Sequence, residues 1–108
     1  MIETMRVPVT VRWYTVDEGG RRTGPPPGPK YTPTGRFADQ PPEEMFSVIL
    51  TMPEEGKSTA GGFTRGELEP GFPENVPDFA GRLARGDKFI LHEGRRAVAE
   101  CTVATPGA

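Results

Sequence analysis

The chain has 108 residues, 34% hydrophobic and 8% aromatic, which leaves room for one small core and none for a separate catalytic or nucleotide-binding unit beside it. Its 14 glycines and 13 prolines cluster between strand-like runs, which excludes long helices and points to a loop-rich all-β domain spanning residues 1–108. The net charge of −2 excludes a uniformly basic nucleic-acid-binding domain, yet the charge is segregated. Residues 1–36 carry six Arg/Lys against three Asp/Glu, residues 37–80 two against nine, and residues 81–108 five against three.

The first strand is predicted over residues 5–15, where Val7, Val9, Val11 and Trp13 alternate with Arg6, Pro8, Thr10, Arg12 and Tyr14. That is a period of two with one apolar face. Pro8 has no N–H to give a ladder and belongs near an edge or bulge. Glu18-Gly19-Gly20-Arg21-Arg22-Thr23 turns the chain, and residues 24–29 (GPPPGP) form a stiff extended spacer, read as a rigid loop rather than as a ligand for a proline-reading domain. A weaker strand follows over 31–37. The next, 45–52, is apolar on both faces, as a buried central strand would be. A fourth is placed at 63–69, and one helical turn at 78–83 buries Phe79 and Leu83. The chain closes with a hairpin of strands 88–92 and 97–103, turned at Glu93-Gly94-Arg95. Six strands separated by turn signals define a small closed antiparallel barrel. Its predicted core includes Val7, Val9, Val11, Trp13, Val48, Leu50, Phe89, Leu91 and Val103.

Few residues invite a reading as chemistry. Gly56-Lys57-Ser58 matches the end of a phosphate loop, but the glycine required five residues before Gly56 is Thr51, and no helix start follows. His92 is the only histidine and Cys101 the only cysteine, with no partners at metal-ligand spacing. Cys101 is expected in the core and His92 at a solvated strand end, so no enzyme, metal or cofactor is expected. The carboxylates of residues 37–80 form a solvated acidic face. The arginine pairs Arg21-Arg22 and Arg95-Arg96 are more specific. In a small barrel the first and last strands are neighbours, so two turns bearing arginine forks can converge into a phosphate-binding surface.

These segments also carry a family likeness. Asp17-Glu18-Gly19-Gly20-Arg21-Arg22-Thr23 followed by Gly28 resembles the "EEGGRxT…G(Y/F)RPQF" segment of the C-terminal barrel of the elongation factor Tu family. Residues 86–98 (GDKFILHEGRRAV) are similar to that barrel's closing "G-x-x-F-x-(L/I)-R-E-G-G-R-T-V" hairpin. The two motifs lie in the same order near opposite ends of a domain of the same size. The resemblance implies a six-stranded translation-factor-type barrel, which in that family packs on a GTPase domain, meets an exchange factor and touches the T-stem backbone of aminoacyl-tRNA. It maps the RNA-contacting positions to Arg21, Arg22, Lys30 and Gly94. The match departs from the family at Pro25 and Pro26, which replace phenylalanines. It departs again at Pro29, Tyr31 and Thr32 around the "GYRPQF" run, and at Arg95, which replaces the second glycine of the hairpin.

The expectation is therefore a stand-alone, non-catalytic barrel that binds a macromolecule, structured RNA or a protein, through Arg21, Arg22, Lys30, Gly94, Arg95 and Arg96. The alternative is a protein-interaction or decoy module that uses the acidic 37–80 region and binds no RNA. The lone cysteine, the acidic start without an apolar leader and the absence of a run of roughly 20 apolar residues predict a cytoplasmic protein that needs no membrane.

Overall fold

The computed structural model describes residues 6–20, 29–52 and 63–104. Alternation in the first segment is realised as β1 (Val7–Trp13), whose valines and Trp13 are buried while Pro8 is exposed. The weak second strand is split into β2 (Lys30–Tyr31) and β3 (Thr34–Phe37). Both lie antiparallel to β4 (Phe46–Thr51). The break falls at Thr32-Pro33, where proline has no N–H for the ladder, although the Pro33 carbonyl still accepts from the Val48 N–H at 3.0 Å. β5 (Phe63–Pro70) follows, then α1 (Phe79–Ala84) and the hairpin of β6 (Phe89–Glu93) and β7 (Arg96–Val103).

All neighbouring strands are antiparallel, in the order β4-β3-β6-β7-β1-β5, and β5 pairs back onto β4. That closes a six-stranded barrel, with β2 as an additional short strand on β4. Closure leaves no long open edge and gives one face of each strand a dry interior.

The interior has two parts. At one end Phe37, Phe46, Phe79 and Phe89 meet with ring centroids 5.1–6.2 Å apart, mostly edge-on, and α1 supplies Phe79 and Leu83 as the plug. Gly35 makes this cluster possible, because a methyl there would fall inside the Phe89 ring. At the other end the Trp13 indole N–H donates to Thr64 Oγ1 at 2.9 Å. Every predicted core residue is buried except Val103, which is partly exposed near the end of β7, where Ala104 N–H meets the Pro8 carbonyl.

His92 departs from expectation: it is 4% exposed rather than solvated. An irregularity between Leu91 and His92 shifts the β6–β7 register, and the imidazole lies on the outer side of β6 with Thr34 and Arg36 of β3. No helix among the described residues is long and apolar enough to cross a membrane.

Candidate functional site

The antiparallel registers gather the C-terminal end of β1, the N-terminal ends of β2, β5 and β7, and the end of β6 at one rim of the barrel. Just beyond β1, residues Val16–Glu18 form a 3-10 turn closed by reciprocal capping. Thr15 Oγ1 accepts from the Glu18 N–H, and the Glu18 carboxylate accepts from the Thr15 N–H at 2.9 Å. That backbone bond, with help from Arg12, holds the Glu18 carboxyl below its ordinary pKa. The turn swings Gly20 back so that its N–H reaches the Thr15 carbonyl at 2.8 Å. A side chain at Gly20 would collide with the Tyr14 carbonyl, which is why this position takes glycine.

Gly20 thereby meets the closing hairpin, where Arg96 Nη1 donates to its carbonyl at 3.4 Å. Val16, Gly19, Gly20 and Arg96 line a small cleft of about 230 Å³. Arg21 and Arg22 continue from Gly20 in sequence but lie outside the described residues. In the hairpin, Gly94 has a φ of 61°, the left-handed conformation that a two-residue turn asks of its first central position. Arg95 is exposed and lines a larger cleft of about 410 Å³ with Pro42, Glu43 and Met45. Lys30 opens β2, exposed, opposite Thr51. Its neighbour Tyr31 ties β2 to the hairpin, donating its hydroxyl to the Glu93 carboxylate and resting its ring 6.0 Å from Trp13. Gly20, Lys30, Gly94, Arg95 and Arg96 thus stand at one end of the barrel.

The charges at the two ends differ in how they are compensated. Toward the far end Arg6 pairs with Glu67 and Glu69, Arg82 with Asp39 and Asp87, and Arg85 with Asp78. Arg82 also lies over the Phe37 ring at 4.1 Å, and its hydrogen bonds hold the Asp39 carboxyl below the usual range. Among the described residues Lys30, Arg95 and Arg96 make no ion pair, and Arg96 spends one N–H on a carbonyl. Surface pairs contribute little to stability, but an unpaired cation keeps its charge available to a ligand.

Cys101 and His92 do not face each other. Cys101 sits inside the barrel, in register with Val11 and Phe89, and burial drives its thiol pKa far upward. His92 points outward, and among the described residues its ring nitrogens meet nothing closer to a partner than a long, poorly aligned approach of the Arg95 backbone. Burial first, and the Arg36 charge second, lower its pKa against a smaller opposing influence of the Arg95 backbone. No group of three or more His, Cys, Asp or Glu among the described residues is placed to hold a metal ion.

Sequence reasoning missed the tie between Tyr31 and Glu93, and it missed the surface exposure of Phe63. Strand parity carried the signal for the second, since Phe63 falls in phase with Arg65 and Glu67, not with Thr64 and Leu68. No protein-family model and no curated protein matches the chain.

Proposed function

We propose that this chain is a non-catalytic binding module that takes a polyanionic partner, structured RNA foremost, through Arg21, Arg22, Lys30, Gly94, Arg95 and Arg96. The observation that carries the reading is the hydrogen bond from Arg96 to Gly20, which draws the last hairpin against the residue that precedes Arg21-Arg22. Lys30 and Arg95, which make no ion pair among the described residues, add to it, and guanidinium forks suit phosphate oxygens. The resemblance to the elongation factor Tu C-terminal barrel points the same way. A single cysteine, kept inside the core, accords with a reducing compartment such as the cytoplasm.

The test is fluorescence anisotropy with labelled transfer RNA and with an unrelated RNA hairpin, each at several salt concentrations. Affinity should fall steeply as salt rises, because each neutralised phosphate releases counterion. Replacing Arg21 and Arg22 with Ala should weaken binding and reduce the salt slope by about one unit per lost contact. Failure to bind either RNA at low salt would overturn the RNA reading.

A second reading has its own observation. Phe72 is 61% exposed at the acidic end, between Glu69 and Glu74. An exposed aromatic among carboxylates suits a basic protein partner. Binding to such a partner that survives loss of the arginines but not neutralisation of the 37–80 carboxylates would favour it.

A further inference from the structure

Phe63 is the most exposed of the large hydrophobic residues described, at 69%. It begins β5 on the rim that carries Lys30, Arg95 and Arg96, and its outer-face neighbours are polar. Arg12 lies opposite it on β1, and Arg65 follows two residues on along the same face. Arg12 is itself fixed: it donates to Glu18 at 3.1 Å and to Glu100 at 3.3 Å, and its guanidinium lies 5.0 Å over the Tyr14 ring. The outer face here therefore offers a free aromatic ring beside a pre-stacked arginine–tyrosine pair.

Arg65 makes no ion pair among the described residues. It lines a shallow cleft of about 340 Å³ with Thr51, Met52, Gly66 and Glu67. A lone exposed apolar side chain is common on protein surfaces and needs no explanation. Phe63 has Arg12 in register across the ladder and Arg65 two residues along its own strand, a ring-and-cation arrangement of the kind single-stranded RNA uses, with bases stacked on rings and phosphates on cations.

We infer that Phe63 is a stacking platform for an unpaired base of the bound RNA, with Arg65 taking the adjoining phosphate. The inference rests on the RNA-binding role proposed above and narrows it, from duplex backbone to RNA that presents unpaired nucleotides. β5 and β7 flank β1, and Phe63 and Glu100 both pair with Arg12, about 10 Å apart across two strand spacings; Arg96 lies four residues farther along β7, which puts the hairpin about 16 Å from Phe63. A strand leaving the stacked base can reach the basic rim over that distance.

The experiment compares two RNAs with the same stem, one capped by a loop of unpaired purines and one a blunt duplex, by anisotropy at low salt. The wild-type chain should prefer the looped RNA. Phe63→Ala should weaken looped-RNA binding by about fivefold or more and leave the blunt duplex unchanged. Because the side chain is exposed, this variant should keep the fold, which circular dichroism checks. Phe63→Trp should retain affinity, and its exposed indole should be quenched by the looped RNA but not by the duplex. Equal affinity for both RNAs, with Phe63→Ala silent, would overturn the stacking role and leave the basic-rim reading standing. Binding to neither RNA would overturn both, and Phe63 would then be examined as a protein contact.

Discussion

Phe89 is the residue whose loss should damage this barrel most, and Gly35 beneath it allows that statement to be checked twice. The Phe89 ring is fully buried and touches Phe37, Phe46 and Phe79 at centroid distances of 5.1, 5.5 and 5.5 Å. Truncating a buried phenylalanine to alanine typically costs about 3–5 kcal/mol. Three aromatic contacts, each worth about 0.5–1.5 kcal/mol beyond burial, place Phe89→Ala near the top of that range. A domain of this size has only about 5–15 kcal/mol of stability in total, so the variant should be partly unfolded at 37 °C. Gly35→Ala alone should also destabilise, since its methyl would invade the Phe89 ring and press on the Ile90 carbonyl. In the Phe89→Ala background the same methyl enters a vacated space, so the double variant should be more stable than the sum of the two losses predicts. Urea denaturation of the four proteins measures each term. A loss below about 2 kcal/mol for Phe89→Ala, or strict additivity of the pair, would refute the packing argument.

Two further outcomes follow from buried polar groups. His92 is the only histidine, and its folded-state pKa lies below the ordinary 6.5, so below pH 6.5 the unfolded chain binds more protons than the folded one. Its contribution should be complete above pH 6.5 and should be lost as pH falls toward the depressed folded value. Urea midpoints measured from pH 7.5 to 5.5 should decline for the wild type and stay nearly level for His92→Leu, and parallel declines would assign the effect elsewhere. Thr64→Val removes the acceptor of the Trp13 indole N–H and should cost about 1–3 kcal/mol, whereas Thr64→Ser should retain most of the stability. If valine proves as stable as threonine, that hydrogen bond contributes nothing net.

The barrel was legible because its strands follow the simplest rule available. Alternation across Val7, Val9, Val11 and Trp13 assigned the inner face of β1, and glycine at the Glu93-Gly94-Arg95 turn set the closing hairpin. Where local chemistry competes, the pattern blurs. Pro33 interrupts the strand that would otherwise run from Lys30 to Phe37, and the irregularity at Leu91-His92 breaks the simple β6–β7 register around a histidine assigned to solvent. Helix pattern alone located α1 to within a residue at each end, since it is one turn anchored by Phe79 and Leu83. Tertiary pairing was not legible at all. That Tyr31 bonds to Glu93, or that Gly20 meets Arg96, depends on residues 62 and 76 positions apart in sequence. No local signal marks such a meeting.

Net charge is the wrong descriptor for what this surface does to a ligand. Antiparallel closure sends successive turns to opposite ends, so the turn that follows β1 and the last hairpin share one rim. The carboxylates of Asp39, Glu74 and Asp78 project from connections at the other. A strand of eight residues such as β5 runs about 26 Å, and the Debye length at physiological salt is about 8 Å. A partner approaching Lys30, Arg95 and Arg96 is therefore screened from most of the acidic end, and it responds to the charges near the rim more than to the chain's total of −2. The same screening makes the two ends separable in experiment. Neutralising the far carboxylates should leave rim binding nearly unchanged at physiological ionic strength and strengthen it only at low salt, where the Debye length approaches the length of the barrel. Anisotropy of RNA binding by a variant with Glu74 and Asp78 changed to amides, measured at both ionic strengths, distinguishes local charge from net charge. An equal gain at both would mean that the total, and not the rim, governs the encounter.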